Sequence, residues 1–473
     1  MSQPKVGLIT FGDERTHEWN NVFKHLTVPA HERAIAYFRS LPLDLCASPE
    51  VARTKADIDG QAVALRAEGV EALIAHVPCW TAPNLVVRGI QQVGLPTILL
   101  SNKSLGTHGT VGLLGAGGAL NQIGYDHLRI REDFDGSGIA DKALPFLRAA
   151  SAVNRLRGSV FGLFGGRSLG IDTGTFDPMQ WRALFGIDVE HVDQSEIIRR
   201  ADAMAGDQPQ AMVEWMEKTA KGIAYDDNRL TPAKLSYQTR CYLATKQIVE
   251  EKGIDFAAIK CMPDMTNHVV AQCLSAAFMP GPYDAFGPKE PVAFSCEADG
   301  DGALTMEILK QVSGGKPTLF ADLSYLNEET STIYLPNCGA LCTWYAARSN
   351  VPEENMARIE LRPANRPAGG ANTGFRAGPG PLTLARLYRK RGQYYMAIIS
   401  GDAVEPSQAE IDAFVAARGK HQLPTAFVRV NLDYDKVIAE FGANHISGVD
   451  GSYVGELMQV CKLLGITPVA FEK

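Results

Sequence analysis

The chain has 473 residues, more than the ~250–300 at which one hydrophobic core stops growing, so several domains are expected. Its 45% hydrophobic and 21% charged residues exclude wholesale disorder, and no run approaches the ~20 unbroken apolar residues of a spanning helix. A formal net charge of −7 leaves nucleic acid without its usual basic partner surface, and MSQPKVGLITFG at the start lacks the features of a secretory signal; a cytoplasmic protein with neither nucleic acid nor membrane as partner is expected.

Strand and helix signals alternate from the start. KVGLIT (Lys5–Thr10), VEALIAHV (Val70–Val77) and LPTILLS (Leu95–Ser101) are short apolar runs suited to strands buried on both faces, with helical patterns such as Lys55–Glu68 between them. This grammar predicts a parallel-sheet α/β domain over residues 1–156. It restarts at Arg157 with RGSVFGLFGG, a helix at Trp181–Phe185 and a strand at IDVEHV. Helices over Pro209–Ile223 and Pro232–Lys252 follow, then strands at FAAIKCM and PVAFSCE, giving a second α/β domain over 157–315. Beyond it TLFADLSYL, STIYLP, ARIELRP, PLTLARLYR, QYYMAII and TAFVRV read as strands with little helix until Gln408, and Tyr453–Leu464 reads as a helix. A β-rich, antiparallel, barrel-like domain is expected over 316–473.

The nine cysteines contain no CxxC, so buried reduced thiols are expected instead of a zinc ribbon or redox pair. GLLGAGGAL (Gly112–Leu120) and GLFGGRSLG (Gly162–Gly170) spell neither GxGxxG nor a P-loop. CEADGDGALTMEIL (Cys296–Leu309) opens like a calcium loop but puts Ile308 where the bidentate Glu belongs, and a strand precedes it. Asp299 and Asp301 read as a solvated acidic loop capping the next helix, whereas Glu297, directly behind VAFSC, is expected to be buried and to need a partner. Asp322 interrupts an apolar strand in the same way, and His445 in FGANHISG reads as lying in a Gly/Asn-rich turn between two helices. Two buried carboxylates and an imidazole together suit an O/O/N metal site with room for a chelating substrate.

Five segments carry a resemblance to a known family. HVPCWTAPN (His76–Asn84), GRSLGI (Gly166–Ile171), CEADGDGALTM, LFADLSY and FGANHISGVDGSYVGELMQVCKLLGITPV occur in the order found in the L-fucose isomerase / L-arabinose isomerase family of aldose–ketose isomerases, which the chain resembles. The resemblance implies two α/β domains followed by a β-rich domain. It implies Glu297, Asp322 and His445 as ligands of a divalent metal, Mn²⁺ foremost, with Glu297 as base and Asp322 as its acid partner. It also implies a homo-oligomer, a trimer-based hexamer, in which Trp80 from a neighbouring subunit walls the site. Ile446 departs from the family, which has Gly directly after the histidine, so the far end of the sugar is expected to be held differently.

An aldose–ketose isomerase moves one proton between C1 and C2 while a chelated metal stabilises the enediolate. A metal-assisted hydride shift would use the same ligands. Asn444 beside His445 is a candidate to orient the ligand or bind a hydroxyl, Arg15 in GDERTH to meet a hydroxyl or an anionic substituent, and His268 with Asp264 to line the pocket; an N-cap role also suits Asp264. Three readings follow: an isomerase of a neutral sugar such as L-fucose, D-arabinose or L-arabinose, the same chemistry on an anionic hexose such as sulfoquinovose, and a non-catalytic sugar-binding protein.

Overall fold

Short apolar segments separated by amphipathic ones can bury both faces of a sheet only if helices cover each side. In the computed structural model, which describes residues 3–418 and 423–473, this happens twice, in two compact units. The first comprises residues up to Asn154 together with Met458–Leu463. Its strands are β1 (Lys5–Thr10), β2 (Asp44–Ala47), β3 (Ala72–His76), β4 (Thr97–Ser101) and β5 (His127–Arg131), all parallel in the order β2-β1-β3-β4-β5. Alternate side chains sort into two cores. Val6, Leu8, Ala72, Ile74, Ile98 and Leu100 join one, and Ile9, Leu73, Ala75 and Leu99 join the other. Local signals bound the covering helices. Lys55–Ala67 starts on a capping box in which the Thr54 hydroxyl accepts from the Asp57 N–H and the Asp57 carboxylate from the Thr54 N–H.

The second unit, Arg155–Leu457 with Leu464–Lys473, holds a four-stranded parallel sheet in the order Ala293–Ser295, Phe256–Ile259, Val160–Phe164, Asp188–Val192. It also holds a curled, largely antiparallel sheet. Its central run is Thr318–Asp322, His445–Asp450, Gly380–Lys390, Gln393–Ala403 and Thr425–Val430, continued by Thr332–Pro336 and Tyr325–Asn327, with Thr467–Ala470 parallel against Gln393–Ala403. The helix Gly300–Val312 packs against strands of both sheets and is buried nearly all round. A helix without a solvent face needs an apolar sequence on every side. Two of its buried charged residues answer each other, Lys310 Nζ lying 2.5 Å from Glu307 Oε2.

The expected fold class is present, with local corrections. ARIELRP supplies Glu360–Pro363, which joins a small separate sheet with Ala371–Gly374 and Gly222–Ile223, so Ile223 ends in a strand and the preceding helix stops at Thr219. GLLGAGGAL lies within a helix, Gly109–Gln122; Gly112 packs so tightly on the turn after β3 that a Cβ would stand 2.8 Å from Val77 Cγ1 and 2.9 Å from Cys79 O. All nine cysteines are free thiols.

Candidate active site

Open α/β sheets present chemistry beyond the C-terminal ends of their strands. There, after Ala293–Ser295, the chain makes a turn in which Glu297 (φ 58°) and Ala298 (φ 54°) are both left-handed. Two consecutive non-glycine residues in that region cost about 1–3 kcal/mol each and persist only where the surroundings enforce them. Here the Ala298 N–H donates to Ile259 O (2.9 Å), the Ser295 hydroxyl donates to Asp299 O (2.7 Å), and Asp299 Oδ1 caps the buried helix by accepting from the Gly302 N–H (2.8 Å).

The antiparallel sheet brings the second half. Asp322 and His445 are direct cross-strand partners in the register of Thr318–Asp322 against His445–Asp450. Around His445 Nε2 stand Glu297 Oε2 at 2.9 Å, Asn444 Nδ2 at 3.0 Å and Asp322 Oδ1 at 3.5 Å. Nδ1 lies 2.7 Å from Asp299 Oδ2, and the ring packs against Phe320 at 4.7 Å between centroids. The His445 side chain is 2% exposed, Glu297 10% and Asp322 38%, so the cluster reaches solvent on the Asp322 side. His445 therefore opens a buried strand and does not sit in a turn. Gly448 marks close approach, since a Cβ there would stand 2.8 Å from Leu384 Cδ2.

Asp299 and Asp301 correct the expectation of a solvated loop: both are buried, and Asp299 is a cap as expected. Arg386 Nη1 donates to Asp299 Oδ2 at 2.5 Å with both side chains at zero exposure, and its Nη2 donates to Thr173 O (2.7 Å). Thr173 in turn donates to Asn444 Oδ1 (2.8 Å). Burial alone would raise the Asp299 carboxyl, but Arg386 and His445 hold it at about 2. Burial likewise opposes charge on His445, yet hydrogen bonds to Asp299 and Glu297 carry it to about 9. Sequence reasoning missed Asp299 as the group that orients His445, and missed Arg386 and Thr173 altogether.

Asp301 accepts from Tyr394 Oη (2.8 Å), which itself accepts from Trp181 Nε1 (2.7 Å). Burial lifts Asp301 to about 6 against the pull of Arg386 and Arg389. The folded chain thus keeps a proton that the unfolded chain has released, so this group lowers stability as pH rises from about 4 to about 6, by up to about 3 kcal/mol. Asp301→Asn removes the titration. In urea melts its stability relative to wild type should rise by that order between pH 4 and pH 7; a pH-independent difference would contradict the assignment.

The other expected residues lie elsewhere. Arg15 grips Asp13 with two bonds (3.0 and 2.6 Å) and lies 3.5 Å from Glu18, so its charge is engaged locally. Trp80 is half-buried against a cluster of Trp19, Phe23 and Cys79. Both belong to the first unit. His268 is exposed at the end of the short helix Asp264–His268, in the segment after Phe256–Ile259. Asp264 pairs with Lys260 at 2.5 Å and is not the N-cap, which is Pro263. A groove of about 490 Å³ starts at Leu323 and Ala443, the chain neighbours of Asp322 and Asn444. Another cavity, about 310 Å³ among Lys221, Arg358, Arg376, Phe414 and Phe427, contains none of the site residues.

The donor set suits a hard divalent cation: two carboxylates and an imidazole whose other nitrogen is anchored on a buried carboxylate. Arg386 balances Asp299, which leaves Glu297 and Asp322 with one imidazole between them. Among the described residues no three His, Cys, Asp or Glu side chains already surround a common point. A cation would take the place of the proton that His445 Nε2 shares with Glu297.

Two family models match the chain, on either side of Glu297 and Asp322. Residues 3–158 match the model of the first N-terminal domain of L-fucose isomerase, and residues 335–471 match that of its C-terminal domain. A sulfoquinovose isomerase of Alkalicoccus urumqiensis is 24% identical over 275 residues, 58% of each chain, and one of Clostridium sp. (strain MSTE9) is 25% identical over 62% of each. An L-fucose isomerase of Phocaeicola vulgatus is 28% identical over 179 residues, 35% of this chain and 30% of the relative. The matches to the sulfoquinovose isomerases thus span little more than half of their length. A periplasmic solute-binding protein of an ABC transporter from Actinobacillus succinogenes, solved with D-allose, aligns over 54% of this chain and 78% of its own; at 14% identity and a TM-score of 0.17 that likeness says nothing of fold or function.

Proposed function

We propose that this chain, which belongs to the L-fucose isomerase family, is an aldose–ketose isomerase that moves one proton between C1 and C2 of an open-chain sugar. The observation that carries this reading is the convergence of Glu297 and Asp322 on one buried imidazole nitrogen. Glu297, held by its strained turn, takes the proton from one carbon and returns it to the other. Asp322, the more exposed acid, exchanges a proton with the sugar oxygen. Asp299 fixes the His445 ring by accepting from Nδ1–H, and the near-complete burial of Glu297 and His445 keeps bulk water from the proton in flight. Glu297, Asp322 and His445 would hold a divalent cation, Mn²⁺ foremost, and when bound it supplies Lewis-acid stabilisation of the charge developing on the sugar oxygens.

The substrate class we favour is an aldose sulfonated at C6, because the sulfoquinovose isomerases match over a larger share of this chain than the L-fucose isomerase does. A sulfonate needs a cation, and we assign Arg366. Its charge and that of Glu297 both act on the Cys261 thiol, its loop bonds the segment after Cys261 through Ala368 N to Thr266 O (2.9 Å) and Ala271 N to Gly369 O (3.0 Å), and no carboxylate pairs with it among the described residues. The test is a panel of neutral and sulfonated aldoses assayed for ketose with added Mn²⁺. Sulfoquinovose should be the best substrate, and Arg366→Gln should raise its KM about 10–100-fold, the worth of one charged hydrogen bond, while KM for neutral aldoses stays put. A preference for L-fucose would establish the neutral-sugar reading; no ketose from any aldose would leave a binding protein.

We further propose a homo-oligomer, a trimer-based hexamer, in which a neighbouring copy's Trp80 walls the site. Trp80→Ala and Glu297→Gln chains, each nearly inactive, should regain activity when refolded together, since some sites then receive an intact wall and an intact base. Mixed oligomers that form without gain would make Trp80 a core residue only.

A further inference from the structure

Four of the nine cysteines gather behind the Glu297 turn. Cys296 immediately precedes Glu297, and its Sγ lies 3.7 Å from that of Cys338. Cys261 Sγ accepts from the Gln272 N–H at 3.2 Å and is close enough to Cys338 for the two thiols to act on each other electrostatically, and a Cβ on Gly339 would stand 2.4 Å from Cys273 Sγ. Four sulfurs in one place invite a metal-cage reading, but among the described residues no three such groups are placed to hold an ion. What remains is chemistry between two sulfurs.

The turn that presents Cys338 is braced. Asn337 Oδ1 accepts from the N–H groups of Gly339 (3.2 Å) and Ala340 (3.1 Å), and Asn337 Nδ2 donates to Phe320 O (3.2 Å). Cys338 is partly exposed, whereas Cys296 is 6% exposed, so a small oxidant meets Cys338 first. A disulfide requires about 2.05 Å between the sulfurs, a closure of roughly 1.6 Å from their present separation. The Cys338 turn and the turn that carries Glu297 are both held by hydrogen bonds, so closing that distance strains both, and Cys296 is bonded directly to Glu297.

We propose that Cys338 and Cys296 form a peroxide-responsive thiol pair whose oxidation to a disulfide displaces Glu297 and stops turnover reversibly. In the first step the Cys338 sulfur attacks one oxygen of hydrogen peroxide: an S–O bond forms, the O–O bond breaks, and the departing hydroxide leaves as water with the thiol proton. Cys338 is then a sulfenic acid. In the second step the Cys296 sulfur attacks it: the S–S bond forms, the S–O bond breaks, and the hydroxide leaves as water with the Cys296 proton. Two thiols and one peroxide give one disulfide and two waters, and an external dithiol reverses the change by exchange. The consequence for Glu297 rests on the isomerase reading above. A displacement of about 1 Å at a catalytic group is enough for a ~100-fold loss.

The experiment treats the full chain with hydrogen peroxide, removes the excess with catalase, reloads Mn²⁺, and divides the sample between an isomerase assay and a non-reducing peptide map. The expected results are a Cys296–Cys338 cross-linked peptide and a loss of about 100-fold in kcat that dithiothreitol restores. Cys338→Ser, with unchanged activity before treatment, should show neither. Absence of the cross-link, a cross-linked enzyme with full activity, or an equal and reversible loss in Cys338→Ser would each overturn the proposal. Cross-linking in a chain that turns over no aldose would instead sink the isomerase reading and leave the thiol pair standing.

Discussion

Glu297→Gln is expected to lower kcat by about 10²–10⁴-fold, the usual worth of a positioned proton-transfer group, with the fold intact. Glutamine keeps the volume and can still hydrogen-bond near His445 Nε2, so the turn and the register of the two sheets have no reason to change. It loses the basic oxygen and one negative charge of the cluster. The measurement is steady-state turnover beside a thermal melt. A variant that melts like wild type yet retains more than about one hundredth of its kcat would mean that another group carries the proton.

The second large effect is expected from chelation. Exhaustive EDTA treatment should bring turnover to background, and Mn²⁺ should restore it better than Zn²⁺, because two carboxylates and one imidazole offer no thiolate to favour zinc. The charge arrangement motivates this: with Asp299 occupied by Arg386, Glu297 and Asp322 share a single imidazole. Full activity in chelated protein, with metal content verified by mass spectrometry, would show that protonated His445 alone supplies the positive charge.

Much of this was legible in the sequence because it depends on local pattern. Apolar runs of five or six residues pointed to Lys5–Thr10 and Thr318–Asp322. An acid behind or within such a run drew attention to Glu297, which is nearly buried, and to Asp322, which was expected to be buried but is 38% exposed because it ends its strand. Other features were hidden because their cause is distant in the chain. Asp299 looks like a solvated helix cap until Arg386, 87 residues later, appears beside it. His445 looks like a turn residue because FGANHISG is rich in glycine and asparagine, yet Gly448 is there to let Leu384 and Leu319 press against a buried strand. Composition reports that a glycine is present, and only packing says why.

The all-round burial of the helix Gly300–Val312 has a consequence for folding. Glu297 and Asp299 stand at its N-terminal entrance, while Asp322 and His445 ride on the sheet that closes over its other side. No collapsed intermediate with only one sheet in place can bring these four side chains together. His445 finds Glu297 and Asp299 across nearly 150 residues of chain, which makes their meeting a late, entropically costly event. Recovery of activity during refolding should therefore lag behind recovery of helical signal and coincide with the last step of docking. On the isomerase reading, turnover doubles as a stringent clock for completed folding.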